Sequence, residues 1–126
     1  MMVGKAIDDV IRTIVGYYGA DAQSMQTCEE CAELIQAVSK LSRSDTNTKF
    51  VERIKNLTEE IADVRIMTAQ LMYIYAIPDE AVMEVVDQKL RRQLERISMP
   101  GTDLSSAQYL AKKEADRLLA RLGGKE

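Results

Sequence analysis

The chain has 126 residues and a formal net charge of −3, which is the size of one domain rather than two. No apolar run reaches the roughly 20 residues that a membrane span needs, the first residues do not resemble a signal peptide, and the acidic balance disfavours binding to duplex nucleic acid. The absence of histidine excludes every catalytic scheme that needs an imidazole. We therefore expect a cytoplasmic protein with neither a membrane nor duplex nucleic acid as a partner, whose chemistry depends on carboxylates, Lys or Arg.

Apolar residues at helical spacing predict a first helix from about Lys5 to Tyr18, which Gly19 ends. A second helix is predicted from Asp21, as its cap, to about Ser42. Its apolar stripe, expected to be core, consists of Met25, Cys28, Ala32, Ile35, Val38 and Leu41. The polar segment 42–48 is predicted to be a loop.

A third helix is predicted to reach about Ala76, with a possible break near Asn56. Its expected core residues are Phe50, Ile54, Leu57, Ile61, Val64, Thr68, Leu71 and Tyr75. A fourth helix begins at Pro78, and its predicted inner side is formed by Val82, Val85, Val86, Leu90, Leu94 and Ile97. Pro100-Gly101 ends it, and a fifth helix runs from about Ser105 to Leu122. The fold class is therefore all-α: a four-helix core domain over 1–99 and a C-terminal helical extension over 100–126 packed on it.

Two acidic clusters lie on consecutive predicted helices. Glu30 and Glu33 are three residues apart on the second helix, and Glu60 and Asp63 have the same spacing on the third. Residues three apart share one helix face, so each pair projects two like charges in one direction. Four such carboxylates between packed helices would suit Mg²⁺ or Mn²⁺, with the remaining coordination positions left to water and substrate phosphates. The alternative is an ordinary solvated acidic face.

These residues resemble the motif of the MazG-like nucleoside triphosphate pyrophosphohydrolases. Glu29-Glu30-x-x-Glu33, 26 intervening residues and Glu60-x-x-Asp63 are similar to that family's paired acidic motifs. Gly19-x-x-x-Gln23 and the basic segment Lys89-Leu90-Arg91-Arg92 also agree with it. The resemblance covers about Ile7 to Ile97, and nothing after Pro100 belongs to it.

The resemblance implies hydrolysis of a nucleoside triphosphate between its α and β phosphates, which gives a monophosphate and pyrophosphate. It implies that Glu30, Glu33, Glu60 and Asp63 hold the metal, with Glu29 or a metal-bound hydroxide as the base. Lys89 and Arg92 share a helix face and could hold the leaving pyrophosphate; the alternative is that they are ordinary surface residues.

Three residues are candidates for recognition of the base. Tyr17, Gln23 and Gln26 precede the acidic cluster and could contact a nucleobase, although a tyrosine at such a position is often a core residue. Cys28 and Cys31 form a Cys-x-x-Cys, which we interpret as a pair of buried, reduced thiols because no histidine or second cysteine pair accompanies it.

Two other functions remain open. One is a phosphoribosyl-ATP pyrophosphohydrolase-like enzyme with the same metal chemistry; the other is a non-catalytic helical module that pairs with a partner. A di-iron bundle is disfavoured because such sites add histidines. The third helix carries apolar residues on more than one side, so we expect the bundle to be completed in a homodimer or a dimer of dimers.

Overall fold

The computed structural model describes residues 1–99 and 101–123, and over this range the chain forms five α-helices and no strand. The helices are α1 (Lys5–Tyr18), α2 (Ala20–Ser42), α3 (Asn47–Ile74), α4 (Asp79–Ser98) and α5 (Ser106–Gly123). The all-α prediction is confirmed. In the described ranges no helix is long and apolar enough to cross a membrane.

The chain divides into two compact units, one from Met1 to Pro78 and one that starts at Asp79. In the first unit α2 and α3 form the most extensive helix–helix contact, and α1 packs against both. In the second unit α4 packs against α5. The division into a domain over 1–99 and an extension over 100–126 stays a prediction, and its boundary residue Pro100 lies outside the described residues.

A single glycine joins α1 to α2. Gly19 has φ of 92°, a backbone conformation that strains any residue with a Cβ, and its N–H donates to the carbonyl of Val15 at 2.8 Å. The prediction that Asp21 caps α2 is wrong, since Gly19 occupies the N-cap position and Asp21 lies inside the first turn. There its negative charge interacts favourably with the positive end of the helix dipole, although Asp21 is not the N-cap residue.

The turn between α2 and α3 is shorter than the predicted loop and is held by side chains. It spans residues 43–46, and the Thr46 hydroxyl caps α3 by accepting from the Lys49 N–H at 3.2 Å. The Arg53 guanidinium reaches back from α3 to donate to the Ser44 hydroxyl at 3.1 Å and to the Lys40 carbonyl. From its cap α3 continues through Asn56 without a break.

The fully buried core is small, and the predicted apolar stripes form little of it. Its members are Ile11, Val15, Ala37, Met67 and Ala115, together with the polar Gln23 and Gln70. On α2 the predicted core residues Met25, Ile35 and Val38 are exposed, and on α3 so are Phe50 and others of the predicted set. The faces that α2 and α3 turn towards each other are instead partly polar. Hydrophobic periodicity therefore indicated the wrong side of α2, whereas on α3 the predicted residues Leu57, Val64 and Leu71 are half-buried.

In the second unit every residue of α4 is at least partly exposed. Five residues of its predicted inner side, Val82, Val85, Val86, Leu90 and Ile97, are exposed, whereas Leu94 is half-buried. On α5 the small residue Ala115 is buried, and Leu118, Leu119 and Leu122 around it are half-buried.

Candidate metal centre

Three of the predicted metal ligands meet between α2 and α3. Glu30 on α2 and Glu60 and Asp63 on α3 each offer a carboxylate oxygen, and these atoms lie within 4.8 Å of one another. All three residues are half-buried. In the part of the chain that the structure describes, no other group of three or more acidic or cysteine side chains comes together in this way.

The helical register explains the convergence. Glu60 and Asp63 are three residues apart and therefore share one face of α3, the same face that carries the buried Met67 and Gln70. Glu30 lies on the face of α2 that also carries Gln23 and Ala37, seven residues before and after it. Each acid thus occupies a position where a bundle normally places apolar core residues.

The fourth predicted ligand, Glu33, is at the rim of this cluster. Its residue is exposed, yet its negative charge is close enough to Glu60 to raise the pKa of that carboxyl group. The structure therefore brings Glu33 beside Glu60 rather than into the group of three.

The environment raises the pKa of Glu60 above its ordinary value. Loss of hydration is the largest cause, and the negative charge of Glu33 is the next. Asp63 and Glu30 act in the same direction. The folded chain therefore disfavours the ionised form of Glu60, and a bound cation would offset this effect.

Two carboxylate oxygens in this cluster have no hydrogen-bond partner among the described residues. They are Oε2 of Glu30 and Oε2 of Glu60, and both are shielded from solvent. The other oxygen of Glu30, Oε1, accepts a hydrogen bond from Nε2 of Gln26 at 2.9 Å. Because an unpaired buried carboxylate oxygen is costly, these two atoms fit the role of ligands to a hard cation.

Gln23 lies deeper in the same interface. It is 8% exposed, and its Nε2 donates to Oε1 of Gln70 at 2.7 Å. The Gln70 Nε2 in turn contacts the sulfur of Met67 at 3.6 Å. The Gln23 side chain thus links α2 to α3, and its predicted contact with a nucleobase stays a prediction.

The remaining predicted site residues are dispersed. Glu29 is exposed on α2, next to Glu30. Tyr17 is 81% exposed at the end of α1, where its ring packs edge-on against that of Tyr18 with centroids 4.8 Å apart. Lys89 and Arg92 are exposed on α4, in the second unit. Their predicted roles towards phosphate and base stay predictions.

The interpretation of Cys28 and Cys31 as buried thiols is wrong, because both are free but exposed. They follow the outward stripe of α2, whereas Glu30 between them faces α3. The sequence indicated the opposite arrangement because that stripe is the most apolar side of the helix.

Two hydrogen bonds at the site were not predicted from the sequence. The Gln26 to Glu30 bond has the i, i+4 spacing at which a glutamine and an acid stabilise a helix, so the sequence did contain a signal for it. The Gln23 to Gln70 bond joins residues 47 positions apart, and no local pattern indicates such a pair.

The arrangement offers oxygen ligands for a divalent cation from two packed helices. Mg²⁺ is commonly held by one or two carboxylates while water and substrate phosphates complete its coordination, and the three converging acids meet that need. The chain matches no protein-family model, and neither a curated protein nor a solved structure is significantly similar to it.

Proposed function

We propose that this protein is a Mg²⁺-dependent nucleoside triphosphate pyrophosphohydrolase of the MazG-like type, which cleaves between the α and β phosphates. The observation that carries the proposal is the convergence of Glu30, Glu60 and Asp63 from two packed helices. The resemblance of the two acidic motifs supports the same function from the sequence. Mn²⁺ is the alternative cation, since it accepts the same oxygen ligands.

Each acid has a defined task in this proposal. Glu30, Glu60 and Asp63 hold the metal, and Glu33 completes the anionic rim beside Glu60. Bound Mg²⁺ supplies charge neutralisation for the phosphates and makes a water molecule more acidic. Glu29 is exposed next to Glu30, and its carboxylate is the group of this chain that we assign to accept the proton of the attacking water.

The product pyrophosphate gains negative charge as the bond to the α phosphate breaks. Lys89 and Arg92 are three residues apart on α4 and therefore present two cations on one helix face. We assign them to this developing charge. Tyr17, which is exposed, is the aromatic residue assigned to the nucleobase, with Gln23 as a polar candidate.

The functional form in this proposal is a cytoplasmic homodimer or dimer of dimers. The support is an outward stripe on α2, which we call the α2 stripe and which consists of Met25, Cys28, Ala32, Ile35 and Val38. Met25 is 67% and Ile35 is 70% exposed. Contiguous apolar side chains at such exposure are typical of a surface that another protein chain covers.

The test is a pyrophosphate-release screen of the purified chain over the common and damaged nucleoside triphosphates, with Mg²⁺ and with EDTA. We expect release of pyrophosphate and a monophosphate from at least one nucleotide, only in the presence of the metal. Release of orthophosphate would indicate cleavage at a different bond. Activity that survives EDTA would contradict the role given to the carboxylates.

The same screen separates the competing functions. If phosphoribosyl-ATP is cleaved and free triphosphates are not, the protein is the related pyrophosphohydrolase. The exposed α2 stripe is the observation that favours a non-catalytic interaction module. A module of that kind would bind no Mg²⁺ in a calorimetric titration, whereas the proposed enzyme would.

A further inference from the structure

We infer that Gln26 is a positioning residue that orients the Glu30 carboxylate for metal binding, rather than a contact to the nucleobase. This inference rests on the proposed function, since it assigns Glu30 to the metal. The distance that carries it is 2.9 Å from Nε2 of Gln26 to Oε1 of Glu30. Gln26 itself is half-buried, so its amide is only partly accessible to a ligand.

The hydrogen bond gives the two oxygens of Glu30 different roles. Oε1 accepts from Gln26, and Oε2 is shielded from solvent and has no partner among the described residues. A carboxylate with both oxygens unpaired can rotate about its last bond, whereas a bond to one oxygen fixes the plane of the group. Oε2 is thereby left as the oxygen that is free to bind a cation, in a residue that offers a carboxylate oxygen within 4.8 Å of those of Glu60 and Asp63.

An amide is well suited to this task. It donates a hydrogen bond without a positive charge, so it does not neutralise Glu30 or compete with a cation for it. A lysine at the same position would form an ion pair with Glu30 and weaken metal binding. The i, i+4 spacing on one helix fixes the donor without help from a loop.

Two neighbouring side chains that could donate to the carboxylate cluster in place of Gln26 form other hydrogen bonds. Gln23, one turn earlier, donates to Gln70 and not to an acid. Thr27 donates its hydroxyl to the Gln23 carbonyl at 3.1 Å. Gln26 is therefore the one neighbour on this part of α2 whose side-chain hydrogen bond goes to the carboxylate cluster, among the residues that the structure describes.

The experiment measures Mg²⁺ affinity by calorimetry on the whole chain without nucleotide, in the parent and in Gln26→Met. Methionine keeps the length and helix propensity of glutamine and removes the donor. Gln36→Met is the matched control, because Gln36 is an exposed glutamine on the same helix. We expect Gln26→Met to weaken Mg²⁺ binding about 10-fold or more, as loss of a bond to a metal-binding carboxylate typically does. Gln36→Met should match the parent.

Turnover provides a readout that a merely structural role would not change. For Gln26→Met the Mg²⁺ concentration that gives half-maximal rate should rise by a similar factor, and excess Mg²⁺ should restore kcat. KM for the nucleotide at saturating Mg²⁺ should stay near the parent value for every base. A base-dependent rise in KM would instead assign Gln26 to the nucleobase and overturn the inference.

The outcomes separate this inference from the proposed function. If the parent binds Mg²⁺ and hydrolyses nucleotide while Gln26→Met has the parent affinity, the positioning role fails and the function stands. If the parent binds Mg²⁺ without hydrolysis, the calorimetric comparison still decides the role of Gln26. If the parent binds no Mg²⁺, both fail. Circular dichroism of each variant confirms that helicity is retained.

Discussion

Gln23 and Gln70 connect α2 to α3 through a buried hydrogen bond in which Nε2 of Gln23 donates to Oε1 of Gln70 at 2.7 Å. Gln70 is only 2% exposed, and it is the largest fully buried side chain among the described residues. A polar pair at this depth fixes the register of the two helices because any slip would leave two amides unpaired.

Gln70→Met should destabilise the fold by about 1–3 kcal/mol, because the Gln23 amide then stays buried without its acceptor. Urea unfolding followed by circular dichroism measures this free energy. The double variant Gln23→Met/Gln70→Met removes both amides and should recover most of the loss. A double variant as unstable as the sum of the two single variants would contradict the pairing.

Asp63→Asn should reduce Mg²⁺-dependent turnover by about 100-fold or more and leave helicity intact, because it removes a charged oxygen ligand from the group of three. Steady-state pyrophosphate release measures the effect. The control is Glu59→Gln, which removes an exposed charge on the same helix, one position before Glu60. If the two variants were equally active, the assignment of Asp63 as a metal ligand would be refuted.

Glu60 makes the stability of the metal-free protein depend on pH. Its folded-state pKa is raised above the ordinary value of 4.5, so its ionised form destabilises the fold above that pKa. This destabilisation is relieved as the pH falls through the folded-state pKa towards 4.5.

Glu60→Gln in EDTA at neutral pH should therefore melt at a higher temperature than the parent. The difference should shrink as the pH is lowered to the ordinary carboxyl range. Thermal melts over this pH range, in parallel for both proteins, measure it. Added Mg²⁺ should raise the Tm of the parent and have little effect on the variant. If the parent instead had the higher Tm in EDTA at neutral pH, the argument from the charge of Glu60 would be refuted.

Lys89→Ala should lower kcat/KM for the nucleotide about 10-fold, as expected for loss of one charge-assisted contact to a phosphate. Arg91→Ala is the matched control, because Arg91 is on the same helix and pairs with Asp87 at 2.8 Å. Steady-state kinetics compare the two variants with the parent. The phosphate role of Lys89 is refuted if its removal changes the kinetics no more than removal of Arg91.

If the proposed oligomer forms, Ile35→Lys should convert it into a species near the 14.2 kDa mass of one chain, because burial of a charge from the α2 stripe against a partner is costly. Light scattering at micromolar concentration measures the mass. The thiol of Cys28 belongs to the same stripe, so it should react faster with Ellman's reagent in this variant than in the parent. If the parent protein is already monomeric, the proposal that the chain forms an oligomer is refuted.

Sequence periodicity predicted the helices well and their buried faces poorly. α1 has the predicted ends, and α2 to α5 each begin and end within a few residues of the predicted positions, because turn formers and apolar spacing are local signals. Which face is buried depends on the neighbouring helix. On α2 the apolar stripe with Ile35 is exposed, whereas Gln23 and Ala37 are buried.

The candidate site was predictable in part for the same reason. The i, i+3 pairs are a local pattern, and the structure does bring Glu30, Glu60 and Asp63 together. The exposed position of Glu33 and the bond from Gln26 depend on side-chain conformations that spacing alone does not determine. The separation of α4 into a second compact unit was not indicated by any break in composition.

The acids of the candidate site belong to two consecutive helices joined by only residues 43–46. When α2 and α3 close on each other during folding, their repelling charges approach as the most extensive helix–helix contact forms. Loop closure over so short a connection is fast, so this repulsion is expected to form a large part of the kinetic barrier. A divalent cation that binds these acids as the hairpin closes would lower this barrier, and the refolding rate would rise with its concentration.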